Sequence, residues 1–561
     1  MTALFDLSDR YVEGWAELDP VGATAAGYRG REGELTDWSP EGIAARAELD
    51  RRTLAELERL APDPSQLDDD DRRGAGFLRE RLEARLLLAD SGELFRELRS
   101  GWAPVHRARQ WIDVLGKETE DDWTRIASGL EAIPAALDGV RASLDEGLRQ
   151  GAPAAPRQAL VVAKQCATWA GERDTPSFFD TTLLSAPDDL HPALRKRLDA
   201  GADAASRSYG ALSRWLADEY APRADGTADA VGADRYRAFA TVHLGQDLDM
   251  HDAYAWGWED LRRIETELAV EADRIVPGGS VADAVDLLER DPDRAIDGVD
   301  AFRSWLQALM DRTIDELDGT HFDLPGPIRR VDAMIAPPGG AAAMYYSPPS
   351  EDFSRPGRTW YPTLGKTRFP TWGEVSIAYH EGVPGHHFQI ATNKLRTDKI
   401  DRFRRLAFVS GNIEGWALYA ERFMDEIGAF DTPDTRLGFL RAQVLRAVRV
   451  VVDIGVHLRL TIPSDDRCDG AGEPWTAELG RAFVLERGLF PPDFLASEMD
   501  RYLGWPAQAI CYKLGERTWL EGRAAARATR GADFDLKQWH SDALTLGLLG
   551  LDQLAPELAA L

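Results

Sequence analysis

Cysteine is scarce: Cys166, Cys468 and Cys511 are the three in 561 residues, widely spaced and odd in number. That excludes a disulfide framework and a cysteine-rich metal site. Positive charge is also in deficit, with 66 Lys and Arg against 95 Asp and Glu and a net charge of −29. Such a surface works against nucleic acid and anionic membranes, so neither is expected as a partner. No apolar run has the length of a membrane span. The opening residues, M-T-A-L-F-D-L-S-D-R, lack the basic start and apolar stretch of a signal peptide. Together with the cysteine count, this leads to the expectation of a cytoplasmic protein. Internal repeats and low-complexity linkers are missing too. What remains is globular composition, 44% hydrophobic and 29% charged, in a chain long enough for two lobes.

Apolar residues recur at threes and fours from the start to about Leu317, the period of amphipathic helix. Clear stretches are Glu41 to Leu60, Arg72 to Leu88, Glu120 to Leu148, Leu190 to Tyr220 and Asp252 to Ile275. Tryptophans along them, Trp102, Trp111, Trp123, Trp169 and Trp215, read as core or groove residues. His243 and His251 have no second ligand nearby in sequence and read as structural. Between Ile328 and Thr363 the pattern changes. Val331 to Ile335, Ala341 to Tyr346 and Arg358 to Tyr361 are short, aliphatic or aromatic, and separated by Pro-Pro, Gly-Gly and Arg-Pro-Gly breaks, which predicts a small sheet. An exposed edge there could hold an extended peptide, or the sheet could be a plain support. Helix then returns over Asp401 to Glu426, Thr435 to Arg459, Pro474 to Arg487 and Pro492 to Arg527. The expected organisation is a helical lobe over 1–327 and a catalytic lobe over 328–561, intertwined as one structural unit.

Three of the ten histidines fall within eight positions, in I-A-Y-H-E-G-V-P-G-H-H-F-Q-I from Ile377 to Ile390. His380 followed by Glu381 has the residue types of a metallohydrolase helix: an imidazole to hold Zn2+ and a carboxylate to take a proton from the attacking water. The familiar spacing H-E-x-x-H puts two histidines one helical turn apart. Here the fourth position after His380 is Pro384, which a regular helix cannot carry. If two residues loop out, His386 takes the second ligand's place; in an unbroken helix His387 lies closer in angle. His386 is preferred and His387 is its rival. The bland reading is a helix end with a Pro-Gly stop and capping histidines.

A catalytic zinc takes three protein ligands and keeps an open position. Glu414, in S-G-N-I-E-G-W-A-L-Y-A-E, is a carboxylate among small and apolar residues 28 positions after His386. Burying it is costly unless a metal or partner holds it. Glu421, two turns on, lies on the same face and is a candidate outer partner. Asp453 and His457 form an i, i+4 pair on an apolar helix and are candidates for an outer-shell or substrate contact.

H-E-G-V-P-G-H-H-F-Q, N-I-E-G-W-A-L-Y-A-E and R-Y-x-x-W-P-x-Q-A-x-x-Y-K-x-G resemble the bacterial domain-of-unknown-function family DUF885, from about His243 onward. That family in turn resembles the helical gluzincin metallopeptidases, the group of angiotensin-converting enzyme, the thimet-type oligopeptidases and the Taq-type carboxypeptidases. The resemblance implies His380, His386 and Glu414 as ligands of one Zn2+ per chain and Glu381 as base. It implies Tyr502 as oxyanion donor with Arg501 as helper, while Tyr512 and Lys513 follow as further candidates. The implied fold is mostly α, a two-lobed zincin-like ellipsoid with a deep cleft and the small sheet at its edge. The expected activity is zinc-dependent hydrolysis of amide bonds in short peptides, by a monomer or homodimer. Hydrolysis of another amide or an ester, or a helical binding protein without metal, are the alternatives.

Overall fold

Helix starts are written locally. Thr119 with Asp122, and Ser280 with Asp283, form reciprocal capping boxes, and proline stands in the first turn of Pro40–Leu60, Pro192–Trp215 and Pro433–Leu458, where its missing N–H costs nothing. The computed structural model describes residues 2–172, 176–336 and 343–561. Its secondary structure is mostly α, with two small sheets among the described residues.

The chain divides into two compact units. One comprises Met1–Leu67 and Arg81–Asp229. Its core is built where helix Glu120–Arg149 packs Trp123, Ile126, Leu130, Ile133 and Leu137 against Leu198, Ala205, Tyr209 and Leu212 of Pro192–Trp215. Trp111, Trp123, Trp169 and Trp215 are core residues, whereas Trp102 is 47% exposed.

The second unit comprises Asp68–Glu80 and Ala230–Leu561, so the change of character at 328 falls inside it. Its helices of interest are α1 (Met250–Ile275), α2 (Glu374–Glu381), α3 (His386–Leu395), α4 (Ser410–Glu426), α5 (Pro433–Leu458), α6 (Pro492–Gly504) and α7 (Cys511–Arg530). Two of these replace the single run expected over Pro492 to Arg527. The break comes at Trp505, which precedes Pro506 and takes a non-helical conformation, φ −136° and ψ 67°. The run expected from Asp401 breaks as well, where Ala407 turns to extended backbone between Arg402–Leu406 and α4.

The strands are β1 (Ala295–Asp297), β2 (Val331–Ile335), β3 (Tyr345–Ser347), β4 (Gly357–Tyr361) and β5 (Arg368–Pro370). β1 pairs with β5, and the other three form a sheet in the order β2-β4-β3, with β2 parallel and β3 antiparallel to β4. Two expected strands match β2 and β4. The third shifts to β3, and positions 341 and 342 of the expected run lie outside the described residues.

Helices α4 and α7 cross with their backbones in contact. A Cβ on Gly415 would stand 2.5 Å from the backbone of Gly515, and one on Gly515 would stand 2.0 Å from the Gly411 carbonyl oxygen. Only glycine permits backbones to approach that far. Gly415→Ala should therefore force the pair apart and cost about 1–3 kcal/mol. A thermal transition of the second unit unchanged from wild type would refute this account of the crossing.

Candidate metal centre

Helix α2 stops at Glu381 and α3 begins at His386. Between them Gly385 donates its N–H to Tyr379 O (3.0 Å) and His387 donates to Gly382 O (3.1 Å). A Cβ on Gly385 would lie 2.0 Å from His380 O, so the chain packs this closely onto the end of α2 because position 385 has no side chain. The indole N–H of Trp416, two residues after Glu414, donates to Pro384 O at 2.9 Å and reaches Gly385 O at 3.3 Å. The helix that carries Glu414 thus also holds the loop between the two histidines.

That arrangement brings His380, His386 and Glu414 together, all buried, with one potential ligand atom from each lying within 4.8 Å of the others. Nε2 of His380 and Nε2 of His386 both stand 3.4 Å from Glu414 Oε2. Glu414 Oε2 is buried and has no hydrogen-bond partner. An orphaned carboxylate oxygen facing two imidazole nitrogens is what a cation would satisfy, and the donor set fits zinc by type. Burial works against charge on His380, but the carboxylates of Glu414 and Glu421 outweigh it and raise its pKa to about 9. For Glu414 burial is again opposed, by His386 and His380, which hold it well below the usual carboxylate range. Burial pushes Glu381 up, against the influence of His380 and His386.

Glu421 backs the first imidazole. It accepts from His380 Nδ1 at 2.7 Å, from the Ser376 hydroxyl at 2.5 Å, and pairs with Arg446 at 2.9 Å. This is the carboxylate–histidine arrangement that fixes a ligand's tautomer. His387 faces elsewhere. Its Nε2 meets Ile328 O at 2.7 Å and its Nδ1 meets Tyr346 OH at 2.9 Å, and burial lowers its pKa to about 4.

Two phenols flank the group. The ring of Tyr512 stacks on His380, centroids 6.3 Å apart and planes 17° apart. Tyr346 stacks on His386 at 6.4 Å and 29°. Tyr502, by contrast, donates its hydroxyl to Glu498 Oε2 at 2.8 Å and accepts from Arg449 Nε at 3.1 Å. Arg501 clamps the same Glu498 at 2.9 Å through both Nε and Nη2 and also bonds Gln508. Arg449 links this cluster to the centre, its guanidinium 4.6 Å from the Tyr512 ring centroid.

Asp453, His457 and Lys513 are not part of the group. Asp453 Oδ2 accepts from Tyr236 OH (2.6 Å) and the Ala507 N–H (2.8 Å). His457 bonds Tyr502 O at 3.0 Å and Val231 N at 3.3 Å. Lys513 is buried on Gln443, Asp260 and Glu516. His243 packs edge-on against Trp505. Sequence reasoning missed Ser376, Arg446, Arg449, Glu498 and Tyr346. For the arginines a signal existed: charges inside the apolar run of α5 pose the same burial problem that singled out Glu414.

The chain matches, over residues 20–558, the family described as "Bacterial protein of unknown function (DUF885)". It belongs to the DUF885 family. No curated protein matches it significantly. Two solved structures resemble this DUF885 chain. A "putative lipoprotein" from Colwellia psychrerythraea is 20% identical with TM-score 0.82, covering 99% of this chain and 98% of its own. A "putative lipoprotein of unknown function" from Shewanella oneidensis is 16% identical with TM-score 0.71, covering 99% of both. At these identities the likeness shows the fold. Their description as lipoproteins overturns the expectation of a cytoplasmic protein. The inference failed because three buried free thiols mean only that this fold needs no disulfide, which holds in any compartment. Among the described residues no helix is long and apolar enough to cross a membrane.

Burial raises the pKa of Asp453 to about 7, against the hydrogen bonds of Tyr236 and Ala507 and the charge of Arg501, and its Oδ1 is buried without a hydrogen bond, 3.9 Å from His457 Nε2. Between about pH 4, the range of an exposed aspartate, and pH 7 the folded protein keeps a proton that the unfolded chain releases. Stability from this group is complete below that window and is lost as pH rises through about 7. Urea denaturation at pH 5 and pH 8 should thus reveal a loss in wild type that Asp453→Asn lacks; parallel pH profiles would contradict it.

Proposed function

We propose that this DUF885 protein is a metal-dependent hydrolase that cleaves amide bonds in short peptides, with one zinc per chain held by His380, His386 and Glu414. The observation that carries the reading is the convergence of the two imidazoles, His380 and His386, on the orphaned Glu414 Oε2, with Glu381 next to His380 in the chain. The resemblance to helical gluzincin peptidases supports it through the residue types of the three motifs. Bound there, zinc would supply Lewis-acid polarisation of the scissile carbonyl and of the attacking water.

The chain's own residues account for the proton movements. Glu381 takes the proton of the attacking water on its carboxylate and passes it to the leaving amine. Its raised pKa suits a group that must hold that proton between the two transfers. A phenol donor to the developing oxyanion is needed, and Tyr512, stacked on His380, is better placed than Tyr502, whose hydroxyl is committed to Glu498. Glu421 and Arg446 keep the His380 ring oriented. β3 stands at the end of the strand order, and its Tyr346 lies on His386, so an extended peptide aligned on that edge would pass the centre. Partners are accordingly small peptides, with a monomer or homodimer as the working unit.

Elemental analysis of purified protein should find one zinc per chain, with a chelator abolishing hydrolysis of a mixed peptide library. Glu381→Gln should keep the zinc and lose nearly all turnover. A protein that binds no metal even on addition ends this reading, and loss of zinc in Glu381→Gln would make Glu381 a ligand. For the donor, Tyr512→Phe should lower kcat about a hundredfold or more with zinc retained, while Tyr502→Phe stays within about tenfold. The reverse ranking would return the role to Tyr502.

A further inference from the structure

The two imidazoles of the centre are supported differently. His380 has its Nδ1 on Glu421 at 2.7 Å, the usual means by which a ligating histidine is fixed. His386 has none: its Nδ1 is buried without a hydrogen-bond partner. Beside its ring lies Tyr346, stacked at 6.4 Å and 29°, within the range of offset aromatic pairs. Tyr346 is itself pinned. The Ile328 carbonyl can only accept, so Nε2 of His387 donates to it at 2.7 Å, and the other ring nitrogen, Nδ1, meets the Tyr346 hydroxyl at 2.9 Å. A Cβ at Gly357 would stand 2.4 Å from His387 Nδ1 and 2.7 Å from the Tyr346 oxygen. The seat of that hydrogen bond therefore exists because β4 begins with glycine. Tyr346 lies on β3, Gly357 on β4 and Ile328 in the segment leading into β2, so two strands and the approach to the third contribute to one support.

We infer that His387 and Tyr346 are positioning residues for His386: the sheet holds the second imidazole by a stacked phenol where the first is held by a carboxylate. This rests on the metal-centre reading above. It assigns His387, the rival ligand, the opposite job, that of an outer brace whose two nitrogens are both spent on protein partners. It also gives the small sheet a purpose beside an otherwise helical centre.

Zinc affinity, measured by competition with a chromogenic chelator, and the visible spectrum of the cobalt(II)-substituted protein test the inference without any substrate. His387→Leu and Tyr346→Leu should weaken zinc binding about 10- to 100-fold and shift the cobalt spectrum, with melting of the metal-free protein little changed. His387→Gln, whose amide can both donate to Ile328 O and accept from Tyr346, should recover most of the affinity. Tyr346→Phe keeps the stack but loses the pin and should fall between. If the leucine variants do not fold, the glutamine and phenylalanine variants carry the comparison, with Tyr346→Phe the weaker binder. Leucine variants, or in their place Tyr346→Phe, that bind zinc within twofold of wild type with its cobalt spectrum overturn the inference. So does a His387→Leu protein as devoid of zinc as His386→Ala, which would make His387 a ligand. A wild-type protein that takes no metal is a different result: it removes the metal-centre reading and this inference with it.

Discussion

The contact of Gly415 with Gly515 is the constraint from which the candidate centre follows. Two helices meet backbone to backbone there, closer than any side chain allows. Glu414 and Trp416 flank the contact on one helix, and Tyr512 precedes it by three residues on the other. One crossing therefore brings together a carboxylate, the indole that ties down the loop between the histidines, and the phenol stacked on His380. If the helices moved apart by a methyl group, all three would shift together.

Charge around that crossing is handled by pairing. Glu421 meets Arg446, Glu498 meets both Arg449 and Arg501, and Lys513 meets Asp260 and Glu516. Breaking any such buried pair leaves an uncompensated ion at a cost of about 3–5 kcal/mol. Glu414 is held differently. It faces imidazoles at 3.4 Å and keeps one oxygen without a hydrogen bond. That oxygen lies where ligand atoms of two histidines and one glutamate converge.

Much of this was legible in the sequence where the signal is local. Periodicity marked most of the long helices to within a few residues, although the runs from Asp401 and from Pro492 each break in two, and β2 and β4 stood out as short aliphatic or aromatic runs between Pro and Gly breaks. Pro384 announced the interruption after Glu381, because proline acts on the helix that contains it. Long-range facts were less accessible. Tyr512 reaches His380 on α2 through the way α7 meets that helix, whereas Tyr502 bonds Glu498 one turn back on α6, and two tyrosines ten residues apart look alike in one dimension. Asp453 and His457 have the spacing of a functional pair, but their partners come from residues 231, 236, 502 and 507. Compartment was misread because absence of disulfides is a statement about thiols.

The four-residue loop from Gly382 to Gly385 separates His380 and His386 onto different helices. When two ligands share one unbroken helix, their spacing is set by the helical pitch, and sequence drift elsewhere leaves it untouched. Here the bite between them is adjustable: it is set by a connector and by an indole clamp reaching in from a third helix. The separation of the donors thus becomes a tertiary property, open to tuning by residues remote from the motif, and fixed-interval pattern searches are blind to centres built this way.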